Sequence, residues 1–329
     1  MIDESCLSNA LSTTLASTDF REVGLRYEGK VRDNYTHGRR RYVVVTDRIS
    51  AFDRVLGTIP FKGQILNQLA AWWFRQTSTI VPNHMISVPD ANVLECVECE
   101  PLPVEFVVRA YLTGSTSTSM WTHYEAGSRT FCGYRLRDGM RKNQRLDAPL
   151  LTPAVKAPKG EHDVSVSREE LIAQSRITAA DFDDAAAKAM KLFAAGQAMC
   201  ANRGLILVDT KYEFGKTAEG EIVVIDEIHT PDSSRFWLAN TYEERFAKGV
   251  EPESFDKDFV RRYFIELGYR GDGPVPPLPD DIRIGAAKKY IAAFEQITGE
   301  AFVPDTTPPD SRVHDNIVKA QGKQESGSP

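Results

Sequence analysis

From Leu25 to Ile59 the order of apolar and polar residues is that of short β-strands joined by tight turns. A reversal falls at His37-Gly38, ahead of the run Arg41-Tyr-Val-Val-Val-Thr46. The pattern changes period at Ile65–Gln76, where Leu66, Leu69, Ala70 and Trp73 fall at helical spacing, and returns to strand at Val104–Arg109. Beyond Ser115 and up to about residue 167 the chain is crowded with Ser, Thr, Gly and Pro, which predicts functional loops with short strands. Ser167 with Glu170 three positions on is a capping box, and Ile177–Met199 reads as a long Ala-rich amphipathic helix. After Trp237, helices are expected around Phe255–Leu267 and Asp280–Ile297, separated by the breaker run Gly271–Pro279. The polar stretch Lys319–Pro329 is expected to fray, and no internal repeat is visible.

Between the Ala-rich helix and Trp237 lies a segment that combines strand pattern with charge. In Gly204-Leu-Ile-Leu-Val-Asp-Thr-Lys-Tyr-Glu-Phe-Gly215, strand alternation puts Asp209, Lys211 and Glu213 on one face and Val208, Thr210 and Tyr212 on the other. A reversal centred on Glu219-Gly220 would set Glu213 opposite Asp226 on the returning strand. Opposed carboxylates destabilise a sheet unless something positive lies between them, and hard oxygen ligands of this kind suit Mg2+ carrying phosphates. A solvated sheet face, with the acids balanced by Lys211 and Arg235, fits the same pattern.

Composition narrows the function classes. The chain has 329 residues, enough for one elaborate domain or two to three lobes. With 42% hydrophobic residues, 26% charged residues and a net charge of −6, it lacks the basic surplus of a polyanion binder, so nucleic acid is not expected as a partner. Short basic runs such as Arg39–Arg41 and Arg261-Arg262 read as solvated faces. Five cysteines at irregular spacing read as reduced thiols. Cys96 and Cys99 form a C-x-x-C without a second pair or a His cluster to complete a zinc site. With no signal pattern and no long apolar window, a cytoplasmic protein without a membrane partner is expected.

Three further motifs suggest anion recognition. Gly24-x-x-x-x-Gly29-Lys30 approaches a phosphate-cradling loop, but Val31 stands where a hydroxyl residue would hold Mg2+ and a strand pattern follows. A P-loop is therefore excluded, and what remains is a glycine turn with a lysine behind it, able to meet nucleotide phosphates or to serve as a plain hairpin turn. Thr46-Asp-Arg-Ile-Ser-Ala-Phe-Asp-Arg54 alternates acid and base at a strand end. Arg109-Ala-Tyr-Leu-Thr-Gly-Ser115 and Pro231-Asp-Ser-Ser-Arg235 each place an arginine fork beside backbone and hydroxyl donors. Singly, each is also what a salt-bridged strand end looks like.

Taken in order, Gly29-Lys-Val-Arg-Asp33, Thr46–Asp53, Val107–Ser119, Asp209-Thr-Lys-Tyr-Glu-Phe-Gly215 and Asp226–Arg235 resemble the SAICAR synthetase (phosphoribosylaminoimidazole-succinocarboxamide synthase) family, in its larger, yeast-type form, over about residues 20–300. The resemblance implies a ligase that uses ATP and Mg2+ to join L-aspartate to the carboxylate of carboxyaminoimidazole ribonucleotide (CAIR), by way of an acyl phosphate. It implies Glu213 and Asp226 as Mg2+ ligands, Lys211 as the group that neutralises the transferring phosphoryl, and Gly29, Lys30, Val31 and Arg32 at the ATP phosphates, with Asp209 at the ATP ribose. It also implies Arg109, Ser115 and Arg235 at the 5′-phosphate of CAIR, Asp47, Ser50 and Asp53 at its imidazole and carboxylate end, and Lys156, His162 and Asp163 near the reacting carboxylate and aspartate.

Asn34 and Ala154-Val155 depart from the family's habit at positions that should hold no reacting group. A kinase is the nearest competing class, but the chain lacks a His-Arg-Asp loop and an Asp-Phe-Gly. A nucleotide-sensing module would not need both the acid pair and the arginine set. The implied architecture is α+β and SAICAR synthase-like, with two β-rich lobes, ATP in the cleft between them and C-terminal helices packed outside. The expected divisions are 1–108, 109–240 and 241–329, in a monomer acting on small molecules.

Overall fold

In the computed structural model of the chain, residues 2–116, 119–155, 164–254 and 258–325 are described. Helix α1 (Glu4–Ala10) precedes strands β1 (Leu25–Glu28), β2 (Arg32–His37), β3 (Arg40–Val45), β4 (Arg48–Ala51) and β5 (Arg54–Thr58), and then helix α2 (Lys62–Thr77). Strands β6 (Met85–Asp90) and β7 (Val93–Val97) lead to the long β8 (Glu100–Leu112). Helix α3 (Met120–Glu125) and strands β9 (Thr130–Phe131), β10 (Tyr134–Arg135), β11 (Gln144–Leu151), β12 (Ala154–Val155) and β13 (Val164–Ser165) follow, then α4 (Arg168–Ala173) and α5 (Ala179–Ala201). Strands β14 (Leu205–Lys216), β15 (Ile222–Ile225) and β16 (Ser234–Leu238) precede α6 (Ala239–Ala247), α7 (Asp258–Glu266), α8 (Asp280–Thr298) and α9 (Pro309–Glu325). Among the described residues, no helix is long and apolar enough to cross a membrane.

Two compact units result. The first comprises Met1–Arg75, His84–Glu98 and Asp256–Pro329, and the second Gln76–Asn83 and Cys99–Phe255. This partition differs from the three consecutive segments expected. A break after residue 108 would cut through β8, which runs unbroken from Glu100 to Leu112. The segment after residue 255 belongs with the N-terminal sheet because its apolar side chains complete that sheet's core.

In the first unit an antiparallel sheet has the order β1-β2-β3-β7-β6, beside a separate β4–β5 hairpin. Val313 and Ile317 of α9 are fully buried with Leu15, Val23, Tyr35, Tyr42, Val44 and Val93. Burying each such side chain contributes about 1.5–3 kcal/mol, which explains how the polar α9 is held on the sheet. Gln321 Nε2 also donates to the Val23 carbonyl at 2.8 Å. Of the stretch expected to fray, Lys319–Glu325 is instead the end of α9, and residues 326–329 lie outside the described residues.

The second unit is built on a sheet of order β13-β12-β8-β14-β15, with β11 also paired to β8 and β16 to β14. Helix α5 covers one face. Its Phe182 ring lies 5.3 Å from Phe106 of β8, which in turn meets Phe214 of β14 edge-on. Because a strand alternates, burying Phe106, Tyr212 and Phe214 under α5 forces Glu105, Val107 and Arg109 of β8 and Asp209, Lys211 and Glu213 of β14 to the opposite face. The capping box expected at the start of α4 is present, with Ser167 and Glu170 bonded reciprocally.

Candidate active site

The β8–β14 register determines which charges meet on the open face. Asp209 lies opposite Arg109, Lys211 opposite Val107, and Glu213 opposite Glu105. Two charged sets result, one around Asp209 and one around Glu213, separated by four residues of strand or ~13 Å.

At one end an ammonium holds carboxylates together. Lys211 Nζ lies 2.7 Å from Glu213 Oε1 and 2.9 Å from Glu105 Oε1. Burial alone would lower the Lys211 pKa, but Glu213, Glu105 and Asp226 outweigh it and leave the ammonium above its ordinary range. The register carries one correction. Glu213 pairs with Ile225, not Asp226, because Thr217–Glu221 form a five-residue loop in which Thr217 N–H donates to the Glu221 carbonyl. Asp226 therefore lies just past β15, where a left-handed turn (φ 68°) takes its side chain out of the ladder and within electrostatic reach of Lys211.

At the other end two guanidinium groups share one carboxylate. Arg235 NH1 donates to Asp209 Oδ2 at 2.6 Å, and Arg109 NH1 lies 3.9 Å from the same oxygen. Arg109 Nε donates to Thr152 Oγ1 at 2.9 Å, and the guanidinium lies over the Phe131 ring. Burial pulls the Arg109 pKa below its ordinary range, with Arg235 acting in the same direction and Asp209 opposing both. Two mutually repelling cations around Asp209 form a site that a dianion would stabilise. Ser115 is exposed just beyond β8, after Gly114, whose φ of 112° and close approach to Ser119 exclude a side chain.

The glycine-lysine loop lies in the first unit, between β1 and β2. Gly29 N–H donates to the Arg32 carbonyl at 2.8 Å. Arg48 Nε donates to the Lys30 carbonyl and Arg48 NH2 to the Gly29 carbonyl, at 2.9 and 3.0 Å, while Thr46 Oγ1 donates to the Val31 carbonyl at 2.8 Å. In a trans peptide the N–H points away from the C=O, so these bonds aim the Lys30 and Val31 amides to the opposite side. Lys30 Nζ meets Asp53 at the tip of the β4–β5 hairpin. Phe52 and Asp53 are both left-handed there, and the Phe52 ring packs against Tyr269 and under the Arg261 guanidinium.

Not every expected residue comes together with these. Asp47 is buried, and its two oxygens accept the Leu15 and Gly63 N–H groups at 2.7 and 2.8 Å. Burial pushes its pKa up to about 6 against those bonds and the nearby Lys62 and Arg312. It lines a cavity of about 460 Å³ with Ser5, Asn9, Gln64, Asn92 and Asp305, and neither Ser50 nor Asp53 reaches that cavity. Lys156, His162 and Asp163 lie outside the described residues. Glu105 and Arg48 had not been singled out for these positions. Strand alternation in Val104–Arg109 puts Glu105 on the Arg109 face, whereas the contacts of Arg48 depend on chain reversals that leave no local pattern.

Fold and site together define an α+β protein with separate anion- and cation-handling sets on one sheet face. The chain belongs to the SAICAR synthetase family, whose model matches residues 25–276. It is 50% identical over 297 residues to the phosphoribosylaminoimidazole-succinocarboxamide synthase of Legionella pneumophila (strain Paris), covering 90% of this chain and 94% of that one. It is similar in structure to the Saccharomyces cerevisiae SAICAR synthase solved with SAICAR, with a TM-score of 0.76 and 29% identity over 88% of this chain and all of that one. It also resembles a type-2 SAICAR synthetase solved with ADP, with a TM-score of 0.64 and 25% identity over 85% of this chain and all of that one.

Proposed function

We propose that this chain carries out the family's ligation on the charged β8–β14 face of its second unit. The reaction is the ATP-dependent joining of L-aspartate to the carboxylate of CAIR in purine biosynthesis, giving SAICAR, ADP and phosphate. The observation that supports this placement is the polarity of the face, with two arginines at one end and carboxylates around a lysine ~13 Å along the strand. A ribonucleotide carries its phosphate and its reacting carboxylate at opposite ends, and the face matches that order.

Arg109 and Arg235, with the Ser115 hydroxyl, bind the 5′-phosphate of CAIR. Asp209 already bonds to Arg235, so we assign it to orienting the arginine pair in place of the ATP ribose. Gly29, Lys30, Val31 and Arg32 serve the ATP phosphates through amides and ammonium. Ser50 and Asp53 remain with the imidazole end of CAIR. Asp47 is assigned to the fold, since both its oxygens accept backbone N–H groups.

Glu213 and Asp226 fit Mg2+ as hard oxygen donors. Among the described residues, no three His, Cys, Asp or Glu side chains converge into a metal cage, which suits an ion that takes its remaining ligands from nucleotide phosphates and water. When bound, Mg2+ would polarise phosphate oxygens. Lys211 lowers the negative charge on the transferring phosphoryl. The CAIR carboxylate attacks the γ-phosphorus and ADP leaves. The aspartate amine then attacks the acyl carbon, phosphate departs, and the amine loses its proton. Lys156, His162 and Asp163 are proposed for that second step on the resemblance alone. We place the reaction in the cytoplasm, because no disulfide links the five cysteines, all of them among the described residues.

The test is product formation from CAIR that depends on both ATP and aspartate. ADP release without aspartate incorporation would sink the ligase. Glu213→Gln or Asp226→Asn should lower kcat by about 10²–10³-fold with the circular dichroism spectrum unchanged. A double variant near the parent rate removes the metal assignment.

A further inference from the structure

Glu105 stands where β8 faces the acidic end of β14, and its register partner is another carboxylate, Glu213. Directly opposed like charges destabilise a sheet unless bridged, and Lys211 Nζ supplies the bridge at 2.9 and 2.7 Å. The two acids are unequal. The Glu105 side chain is 9% exposed and that of Glu213 16%, so Glu105 is the deeper partner and Glu213 the one nearer the open face. A lysine ammonium is a point charge on a flexible stem, and holding it in place takes partners that do not leave when ligands arrive.

We propose that Glu105 is a positioning residue for the ligation, holding the Lys211 ammonium in place when the Glu213 carboxylate turns toward a metal ion. The inference rests on reading Glu213 as a metal ligand and Lys211 as the group that meets the transferring phosphoryl. A carboxylate buried beside a charge it must neutralise is costly to leave unpaired, so Glu105 and Lys211 stabilise each other whether or not Glu213 takes part. Glu105 also shares its strand face with Arg109, four residues on. The same stretch of β8 therefore supplies the phosphate end and the lysine end of the face, and a shift of β8 would disturb both.

The test compares Glu105→Gln and Glu105→Asp with the parent, and runs Glu213→Gln in parallel. The first readout is the rate at which Lys211 is acylated by an amine-reactive reagent in nucleotide- and metal-free protein, resolved by mass spectrometry. The second is kcat with the KM for each substrate. Without the Glu105 carboxylate the Lys211 amine loses the deeper of its two contacts and meets the reagent more readily. Glu105→Gln should therefore acylate faster at Lys211 and lose about 10- to 100-fold in kcat, with the KM for CAIR and aspartate unchanged. Glu105→Asp keeps the charge on a shorter stem and should recover part of both. If Glu105→Gln does not fold, Glu105→Asp carries the comparison. An acylation rate or a kcat within about twofold of the parent overturns the inference, since a merely structural acid would change stability without moving either. If Glu213→Gln turns over normally, the metal reading falls, and the acylation rates still decide whether Glu105 holds Lys211.

Discussion

Arg48 links a single side chain to the shape of the phosphate loop. Its guanidinium reaches the Gly29, Lys30 and Ala16 carbonyls and Asp33 Oδ1, the last at 2.8 Å, and only 6% of the residue is exposed. Lysine offers a charge of the same sign but no planar fork, so it cannot satisfy two loop carbonyls and a carboxylate together. Arg48→Lys is expected to raise the KM for ATP about tenfold, the equivalent of roughly one lost hydrogen bond, with a smaller effect on kcat. Steady-state kinetics check this, and an unchanged KM with a lower melting temperature would leave Arg48 a purely structural role. The sequence presented Arg48 as one of a group of charges suited to anions. Its acceptors lie 15 to 32 positions away along the chain, a separation that local periodicity does not report. Lys211 and Glu213 were legible because strand alternation assigns a face without knowledge of the partner strand, and Arg109 because it stands ahead of a Gly-Ser turn at a strand end.

At the scale of elements, β14 and α5 form one structural statement. Alternation along β14 predicted the charged face, but not the register shift between Leu207 and Asp209, where the strand gains a residue against β16. That shift lets Leu207 and Tyr212 both point to α5 while Asp209, Lys211 and Glu213 keep the other side. Hairpin register was missed by one residue because it depends on loop length, and a five-residue loop carries no signature that separates it from a four-residue one. The C-terminal helix was missed for a related reason: its polar composition hides two core residues that find their partners some 280 positions earlier. Gly196 on α5 shows how closely helix and site are joined. A Cβ there would lie 2.4 Å from His229 Cε1 and 2.9 Å from Leu207 Cδ2. The His229 ring is held by the Tyr212 hydroxyl at 2.6 Å from Nε2 and yields little. Gly196→Ala should cost about 1–3 kcal/mol in chemical denaturation. It should also lower kcat, because His229 lies in the loop that joins Asp226 to β16, the strand of Arg235. A fully stable and active variant would show that the helix can move away from the sheet.

Over the whole molecule, two buried groups set opposite responses to pH, one in each unit. Burial lowers the His229 pKa to about 3, so the folded chain holds it neutral where the unfolded chain takes up a proton. Its contribution is complete above about 6.5 and is lost as pH falls through that interval, at about 1.4 kcal/mol per pH unit. Asp47 has the reverse sign. Its folded pKa of about 6 lies above the ordinary 3.8, so its contribution is complete below 3.8 and is lost as pH rises through 6. Between about pH 4 and 6 the two slopes are similar in size and oppose each other, and a global denaturation curve would hide both. Acids held low by partners, as Asp181 is by Lys216, lose their stabilising effect only as pH falls below the usual carboxylate range. The bond to Asp315 raises the His314 pKa from its ordinary value. In the interval from pH 4.5 to 6.0 His229 and Asp47 act in opposite directions, and native-state hydrogen exchange, corrected for intrinsic rates, can follow the amides of each unit. On lowering the pH across it, amides of β2 and β3 should gain protection while those of β14 lose it. His229→Gln should abolish the drift in β14 and leave β2 and β3 unchanged, and Asp47→Asn should do the converse. Protection that moves in the same direction in both units would show that neither buried group governs its unit's response to acid.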